Sequence, residues 1–391
     1  MKVVNTENKP IKMWLDEIEN GALEQAKNLA NLPFIHKWVA IMPDSHQGYG
    51  MPIGGVIACD KVVIPNAVGV DIGCGMCAIK TNIKNIETET LKKIMGKIRE
   101  VVPVGFDHQK EKQYDLLMPR TVDEKYGYAS MPIIKKEYNS ALKQLGTLGG
   151  GNHFIEIQKD SDDYIWIMIH SGSRNLGFKV AKHYNDLAKK LNAEWYSSVP
   201  KEHDLAFLPI NTKEHESYMA EMQYCVDFAF ANRKLMMDNV TAIFNQEFEN
   251  IEFDEMINIA HNYAVWENHF GKNVIVHRKG ATLARKGTIG IIPGSQGTKS
   301  YIVKGLGNKD SFDSCSHGAG RKMGRKQACR TLNLEDEIAI LDNQGIIHGI
   351  RHQNDLDEAS GAYKDISTVM ENQKDLVEIL YELSPIAVIK G

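Results

Sequence analysis

What this sequence lacks narrows its class. Six cysteines in 391 residues (Cys59, Cys74, Cys77, Cys225, Cys315 and Cys329) are too sparse for a disulfide framework. In a reducing compartment they are free to act as core residues, ligands or redox groups. No apolar run reaches the ~20 residues needed to cross a bilayer, and the N-terminal MKVVNTENKPIK lacks the apolar stretch of a secretory leader. A cytoplasmic protein without membrane attachment is the expectation. Pro/Ser linkers, low-complexity tracts and internal repeats are also missing, so one continuous domain over 1–391 is expected. There is no HExxH, no GxSxG, no dinucleotide fingerprint and no complete P-loop. Cys74 and Cys77 form a CxxC with no second pair and no histidines at finger spacing, which weakens a zinc-knuckle reading.

What is present is an ordinary globular composition, 43% hydrophobic and 25% charged, with an uneven spread of charge. Net charge is −4, against wholesale nucleic-acid binding. Yet Lys272–Arg330 holds thirteen Lys/Arg and two acidic residues, a local +11 that leaves −15 for the remainder. Such a block suits a phosphate-rich ligand or a solvated face balanced by acidic neighbours. Short buried strands are expected at 37–43, 53–58 and 76–80, helices at 89–100 (capped by Thr88) and 131–145, and strands at 153–158 and 164–170. A helix-rich block follows over 174–248, including an amphipathic stretch from Glu214 to Phe248. Strands are expected again at 274–277, 288–292, 300–304 and 337–341, then a helix at 367–380. The elements do not alternate as βαβ units, which favours α+β.

The unusual feature is where the polar residues fall. Five glycine-flanked segments carry them: MPDSHQGYGMPIGG (42–55), GVDIGCGM (69–76), GTLGGGNHFIE (146–156), MIHSGSRNLG (168–177) and SHGAGRKMGR (316–325). Glycine lets backbone approach a ligand closely. Asp71 and Cys74, three apart on one turn, can face one ion or be a turn-capping Asp beside a core Cys. His153 and His170 sit at the ends of two strands and can converge. His261 lies in INIAHNYAVWENHF, a helix-like pattern. Together Asp71, Cys74, His153, His170 and His261 point to a divalent-metal enzyme, and their softness suggests zinc. His317 lies among Ser, Gly and Ala, where backbone N–H groups bind phosphate and Arg321 neutralises it. That histidine can be a nucleophile on phosphorus or a hydrogen-bond donor.

Read together, MPDSHQGYGMPIGGV, GVDIGCGM, GGGNHFIE, IHSGSRNLG, IAHNYA, HRKGAT, IIPGSQGTKSYIV, SHGAGRKMGR, GAYKDI and the terminal IKG resemble the RtcB family of RNA-splicing ligases, nearly end to end. The resemblance implies a single α+β domain of mixed sheets flanked by helices, with a helical insertion near 174–248. It implies joining of an RNA 3′-phosphate or 2′,3′-cyclic phosphate to a 5′-hydroxyl, with GTP as cosubstrate and two Mn²⁺ ions, in tRNA splicing or RNA repair. Cys74 would bridge the ions, Asp71 and His261 completing one site and His153 and His170 the other. His317 would carry GMP. Asn152, Phe154, Glu156, Ser295, Ser300, Gly318, Gly320, Tyr363 and Lys390 would contact the nucleotide. Arg174, Arg321, Lys322, Arg325 and Lys326 would meet RNA phosphates. An activating protein such as archease is a further implied partner. The chain departs from the family pattern at Gly324, usually Ser, and at Gln296, commonly Met. The resemblance replaces zinc by Mn²⁺, with Zn²⁺ expected to bind and inhibit. The rival readings are a metal-dependent cyclic phosphodiesterase that uses no GTP and a non-catalytic RNA-binding module.

Overall fold

Alternation in FIEIQ and IWIMIHS gives each segment one apolar and one mixed face, and both become strands of a single sheet in the computed structural model, which describes residues 1–120, 126 and 129–391. In chain order the first elements are β1 (Lys2–Val4), β2 (Ile11–Met13), α1 (Asn20–Ala30), β3 (Ile35–Tyr49), β4 (Met51–Cys59), β5 (Val62–Val63), β6 (Gly75–Lys80) and α2 (Thr88–Val101). Next come α3 (Pro132–Gln144), β7 (Phe154–Asp160), β8 (Ile165–Ser171), α4 (Arg174–Glu194), β9 (Leu208–Pro209) and α5 (Lys213–Glu247). The last third holds β10 (Ile257–Ala260), β11 (Asn262–His269), β12 (Lys272–Lys279), β13 (Ala281–Leu283), β14 (Ile289–Ile292), β15 (Ser300–Gly305) and β16 (Ser314–Ser316). It closes with α6 (Arg325–Thr331), α7 (Leu334–Asp342), α8 (Ile366–Glu371) and β17 (Val377–Lys390).

Two large sheets carry the fold. One runs β1-β2-β3-β4-β12-β11, with only β2 and β3 parallel. The other runs β10-β6-β8-β7-β17-β15-β14, and its two edge strands approach each other, rolling it into a nearly closed barrel. The expected α+β class with mixed sheets holds. In the barrel sheet, Ile155, Ile157, Ile167, Ile169, Cys77 and Ile79 pack into one core with α2 and α5. The opposite face carries Met76, Phe154, Trp166 and Met168. Among the described residues no helix is long and apolar enough to cross a membrane.

Four local expectations are corrected. Thr88 is the first residue of α2, with Glu87 at the cap. Residues 257–269 form β10 and β11, so the helix-like spacing around His261 was coincidental with strand alternation. Residues 337–341 belong to α7, because the Asn333 side chain accepts from the backbone N–H groups of Glu335 and Asp336 and starts a helix. The helix expected at 367–380 stops at Glu371, and β17 begins at Val377. The stretch from Glu214 is indeed one long helix, α5. However, it is buried on several sides rather than along one stripe, with Ala220, Glu221, Met222, Tyr224, Cys225 and Val226 all inside.

Candidate metal centre and nucleotide cavity

Separate segments bring the five metal candidates together. Asp71 and Cys74 span a turn closed by the Cys74 N–H donating to the Asp71 carbonyl (3.1 Å), just before β6. His153 precedes β7, His170 lies near the end of β8, and His261 occupies the gap between β10 and β11. Register does the convergence, because His170 is opposite Met76 on one side and Phe154 on the other. Cys74 Sγ consequently stands 3.4 Å from His153 Nε2 and 3.3 Å from His170 Nε2. The three ligand atoms lie within 4.8 Å of one another. Asp71 Oδ2 is 3.1 Å from His153 Nε2. The His261 ring is centred 5.2 Å from His170 and 4.7 Å from His317. Asp71 thus meets His153, Cys74 lies against both His153 and His170, and His261 neighbours His170 and His317.

The imidazoles are prepared as ligands. Carbonyl oxygens only accept, so Leu148 O (2.9 Å) fixes a proton on His153 Nδ1 and Asn152 O (3.1 Å) fixes one on His170 Nδ1. Both Nε2 atoms then turn their lone pairs toward Cys74. The same His153 Nε2 lies against the Asp71 carboxylate, and a divalent cation between the two would satisfy both. Burial, reinforced by the neighbouring histidines, holds His170 and His261 well below the usual imidazole range. Burial pushes the Cys74 thiol well up, with the Asp71 charge adding to it, so an entering ion must displace a proton. Buried His261 Nδ1 has no hydrogen-bond partner among the described residues. These donors fit a divalent metal, and their softness still favours zinc over manganese.

The support comes from α5. Arg233, fully buried, donates from Nη1 to Gly73 O (3.0 Å) and Ser171 O (2.9 Å), clamping the Cys74 turn to the end of β8. Asn232 accepts from the N–H groups of Gly146 and Thr147 and donates to Gly172 O, fixing the loop that leads to His153. Cys77 lies on the other face of β6 in the apolar core.

His317 is oriented by a residue the sequence reading did not single out. Asp44, in β3, places Oδ2 2.6 Å from His317 Nδ1 and 3.1 Å from its backbone N. Both nitrogens donate, so the neutral form of the ring carries its lone pair on Nε2. Burial alone would raise the Asp44 carboxyl, but the charge and hydrogen bond of His317 outweigh it and hold the group below its ordinary range. Gly320 packs against the same residue: at its φ of +75°, an added Cβ would sit 2.0 Å from Asp44 O. No side chain is tolerated there without moving Asp44.

Beside the metal candidates and His317 lies a cavity of about 220 Å³. Register again explains its far wall. Phe154 pairs with Lys390 and Glu156 with Val388, so alternation sends Phe154, Glu156 and Lys390 to the cavity side, where all three line it. Burial raises the Glu156 carboxyl to about 7, despite the nearby Lys390. Asn152, Ser295, Gly318, Gly320, Tyr363, Arg321 and Arg325 also line the cavity. Ser300 does not: fully buried, it accepts from Gly294 N–H (3.2 Å) and Gln158 Nε2 (3.1 Å), and so braces the 294–299 loop from behind. Arg321 and Arg325 each donate to Glu358 at 2.6 Å, and Tyr363 donates to the same carboxylate. Arg174 is held by Thr147 Oγ1 and Gly105 O. Only Lys322 and Lys326 of the five expected phosphate contacts are exposed and without an ion pair among the described residues. Of the two departures, Gln296 donates to Glu358 O (3.0 Å), and Gly324 is an exposed cap of α6 with open space around it.

The model of the family described as tRNA-splicing ligase RtcB matches residues 25–391. The RNA-splicing ligase RtcB of Escherichia coli (strain K12) is 40% identical over 413 aligned residues, covering 100% of this chain and 99% of that protein. The tRNA-splicing ligases RtcB of Thermococcus kodakarensis and Methanococcus maripaludis are 31% and 32% identical, covering 95% and 98% of this chain and 92% and 95% of their own lengths.

Proposed function

The chain belongs to the RtcB family and is an RNA ligase, and from that premise we propose that it joins RNA 3′-phosphate or 2′,3′-cyclic-phosphate ends to 5′-hydroxyl ends through a guanylylated His317, using GTP. The observation that carries this reading is the Asp44–His317 pair, which fixes the Nδ1–H tautomer of a neutral ring that lines the cavity beside the metal candidates. His317 Nε2 attacks the α-phosphorus of GTP; the P–N bond forms as the bond to pyrophosphate breaks. The ring gains positive charge, and Asp44 offsets it while keeping the Nδ1 proton. A 2′,3′-cyclic end is first opened by water to the 3′-phosphate; a 3′-phosphate oxygen then takes GMP as the His317 P–N bond breaks, which supplies a leaving group that a bare 3′-phosphate lacks. Displacement of GMP by the 5′-hydroxyl completes the joint.

Two Mn²⁺ ions, when bound, would neutralise phosphate oxygens and ease attack and departure. We assign Asp71 and His153 to one and His170 and His261 to the other, with Cys74 shared; the direct Asp71–His153 contact and the His170–His261 neighbourhood support this division. Metal-stripped protein titrated with Mn²⁺ should take up two equivalents and recover ligation, while Cys74→Ala should hold neither ion tightly. Zn²⁺ should bind and inhibit. Better support of ligation by Zn²⁺ than by Mn²⁺ would overturn the metal assignment.

Phe154, Glu156 and Lys390 form the guanine end of the cavity in this reading. Guanine N1–H and N2–H need an ionised carboxylate as acceptor. Because burial holds the Glu156 carboxyl near 7, GTP affinity should rise with pH between about 6 and 8, by up to ~10-fold per unit below the pKa, with proton release on binding. The sign for stability is opposite: a raised carboxyl favours the folded state below its unfolded value, and that contribution fades as pH rises to about 7. Glu156→Gln should bind GTP weakly and without this dependence. A flat profile in the wild type would contradict the assignment.

The overall test is ligation of oligonucleotides bearing a cyclic phosphate and a 5′-hydroxyl, with and without GTP. Joining only with GTP supports the proposal. Ring opening without GTP and with no joining would support a cyclic phosphodiesterase instead.

A further inference from the structure

A second cavity, of about 660 Å³, lies away from the metal candidates, at the C-terminal end of α4. Lys189, Lys190, Tyr196, Lys201 and Asp204 line it. Lys189 is paired with Asp204 (2.5 Å) and Lys190 only loosely with Glu194 (3.8 Å). Lys201 is exposed and has no ion pair with another described residue.

Tyr196 and Asp204, both lining this cavity, hold positive φ without being glycine. Tyr196 follows the α4 C-cap Trp195 with φ of +52°, in a turn closed by Ser197 N–H donating to Asn192 O (2.9 Å). Glycine is the usual residue there, because a side chain is strained in the left-handed region. The fold gains nothing from the ring, which is 94% exposed. A strained backbone that holds an aromatic ring free beside a lysine-lined cavity is the arrangement of a base-stacking platform flanked by phosphate contacts.

The cavity is also linked to the catalytic one through the β3–β4 hairpin. Asp204 O accepts from Asn66 Nδ2 (2.9 Å), and Gly50 packs so closely that an added Cβ would lie 2.7 Å from the same oxygen. Gly50 is the turn between β3 and β4, and His46 and Ile53 of those strands line the catalytic cavity. Tyr49, at the tip of that hairpin, is 75% exposed. The hairpin is rigid: Lys279 Nζ donates to Tyr49 O (2.6 Å), and Gln25 both donates to and accepts from Gly48.

We propose that the cavity at the end of α4 is a second RNA-binding site, in which Tyr196 stacks on an unpaired base and Lys190 and Lys201 meet the flanking phosphates of the strand being joined. The proposal rests on the RNA-ligase reading for its ligand. α4 starts beside the metal candidates and spans about 30 Å at 1.5 Å per residue, so the site grips the substrate well away from the reacting end. Only substrates long enough to reach it benefit.

Tyr196→Gly is the decisive variant, because it removes the ring and relieves the backbone; its thermal midpoint should stay level or rise. With single-stranded donors of about 16 nucleotides, the upper range of site sizes for such grooves, its KM and Kd should rise about 10-fold. With a short donor that fills only the catalytic cavity they should not change, and neither should GMP transfer to the protein. Tyr196→Phe should retain binding. Lys201→Glu should weaken long-donor binding and lower its salt dependence by about 0.7 in log–log slope. Equal binding of long RNA by wild type, Tyr196→Gly and Lys201→Glu would overturn the proposal. A wild type that never joins RNA but binds long strands through Tyr196 would strike the catalytic reading and leave this site standing.

Discussion

Replacement of His317 by alanine is expected to abolish the covalent nucleotide and reduce joining by roughly 10⁴-fold or more, the scale on which loss of a covalent nucleophile is felt. The substitution removes a side chain that is mostly shielded and packs its ring against His261 at 4.7 Å. Folding should survive, since His317 belongs to a cavity wall and to none of the apolar cores. Metal uptake should also survive, because none of the contacts to Cys74 passes through His317. The variant is therefore expected to retain both ions, to bind GTP without being modified, and to join no 3′-phosphate RNA with GTP. RNA supplied already capped with GMP at its 3′ end should still be joined, since the nucleophile has no part in the last step. Equal activity of variant and wild type on a 3′-phosphate would exclude His317 as the carrier.

The second large effect is expected at Asp44. Asp44→Ala leaves the His317 Nδ1 proton without its acceptor and removes the charge that stabilises the ring as the P–N bond forms. By analogy with loss of the orienting carboxylate in a catalytic triad, single-turnover guanylylation should fall about 10³- to 10⁴-fold. Asp44→Asn should retain more. Backbone N–H and Nδ1–H of His317 both donate to the same Asp44 oxygen, so an amide oxygen is selected for that position and the tautomer is preserved while the charge is lost. GTP affinity should change little in either variant. A guanylylation rate for Asp44→Ala within about 10-fold of wild type would show that the pair is structural rather than catalytic.

The sequence disclosed the site better than the scaffold around it. Small residues around Asp71, Cys74, His153, His170 and His317 are visible in the chain because a crowded ligand site forbids side chains there; Gly320 against Asp44 is the plainest case. Strand alternation placed His153 and His170 correctly at strand ends. It could not place Asp44, which sits within a strand of fifteen residues with irregular register and reads as part of a Pro-Asp-Ser turn. Asn232 and Arg233 were hidden for a different reason. They lie mid-helix on α5, and only the fold reveals that buried polar groups there reach the loops bearing Cys74, His153 and His170. The Glu358 anchor of Arg321 and Arg325 was equally silent, and it moves those arginines from free phosphate contacts to parts of a fixed wall.

The errors of secondary structure have local physical causes. In residues 257–269 strand alternation happens to place apolar groups three and four apart, and cross-strand pairing to β6 and β12 decides the outcome. At 334–342 the Asn333 cap outweighs the β-like apolar stretch Ile338–Leu341. At 377–390 a long strand is paired on both sides by β15 and β7, contacts whose sequence separation no short window contains. Tyr196 is a case of the same kind, since nothing in the sequence distinguishes its backbone from that of any helix end.

The most direct measurement of the central claim is the mass of the intact protein after incubation with GTP and Mn²⁺, followed by peptide mapping under conditions that preserve phosphoramidates. A gain of one GMP moiety located on His317, lost on mild acid treatment and discharged by RNA with a 3′-phosphate, is the predicted result. No covalent nucleotide on a preparation that joins RNA, or one carried by a different residue, would contradict the account.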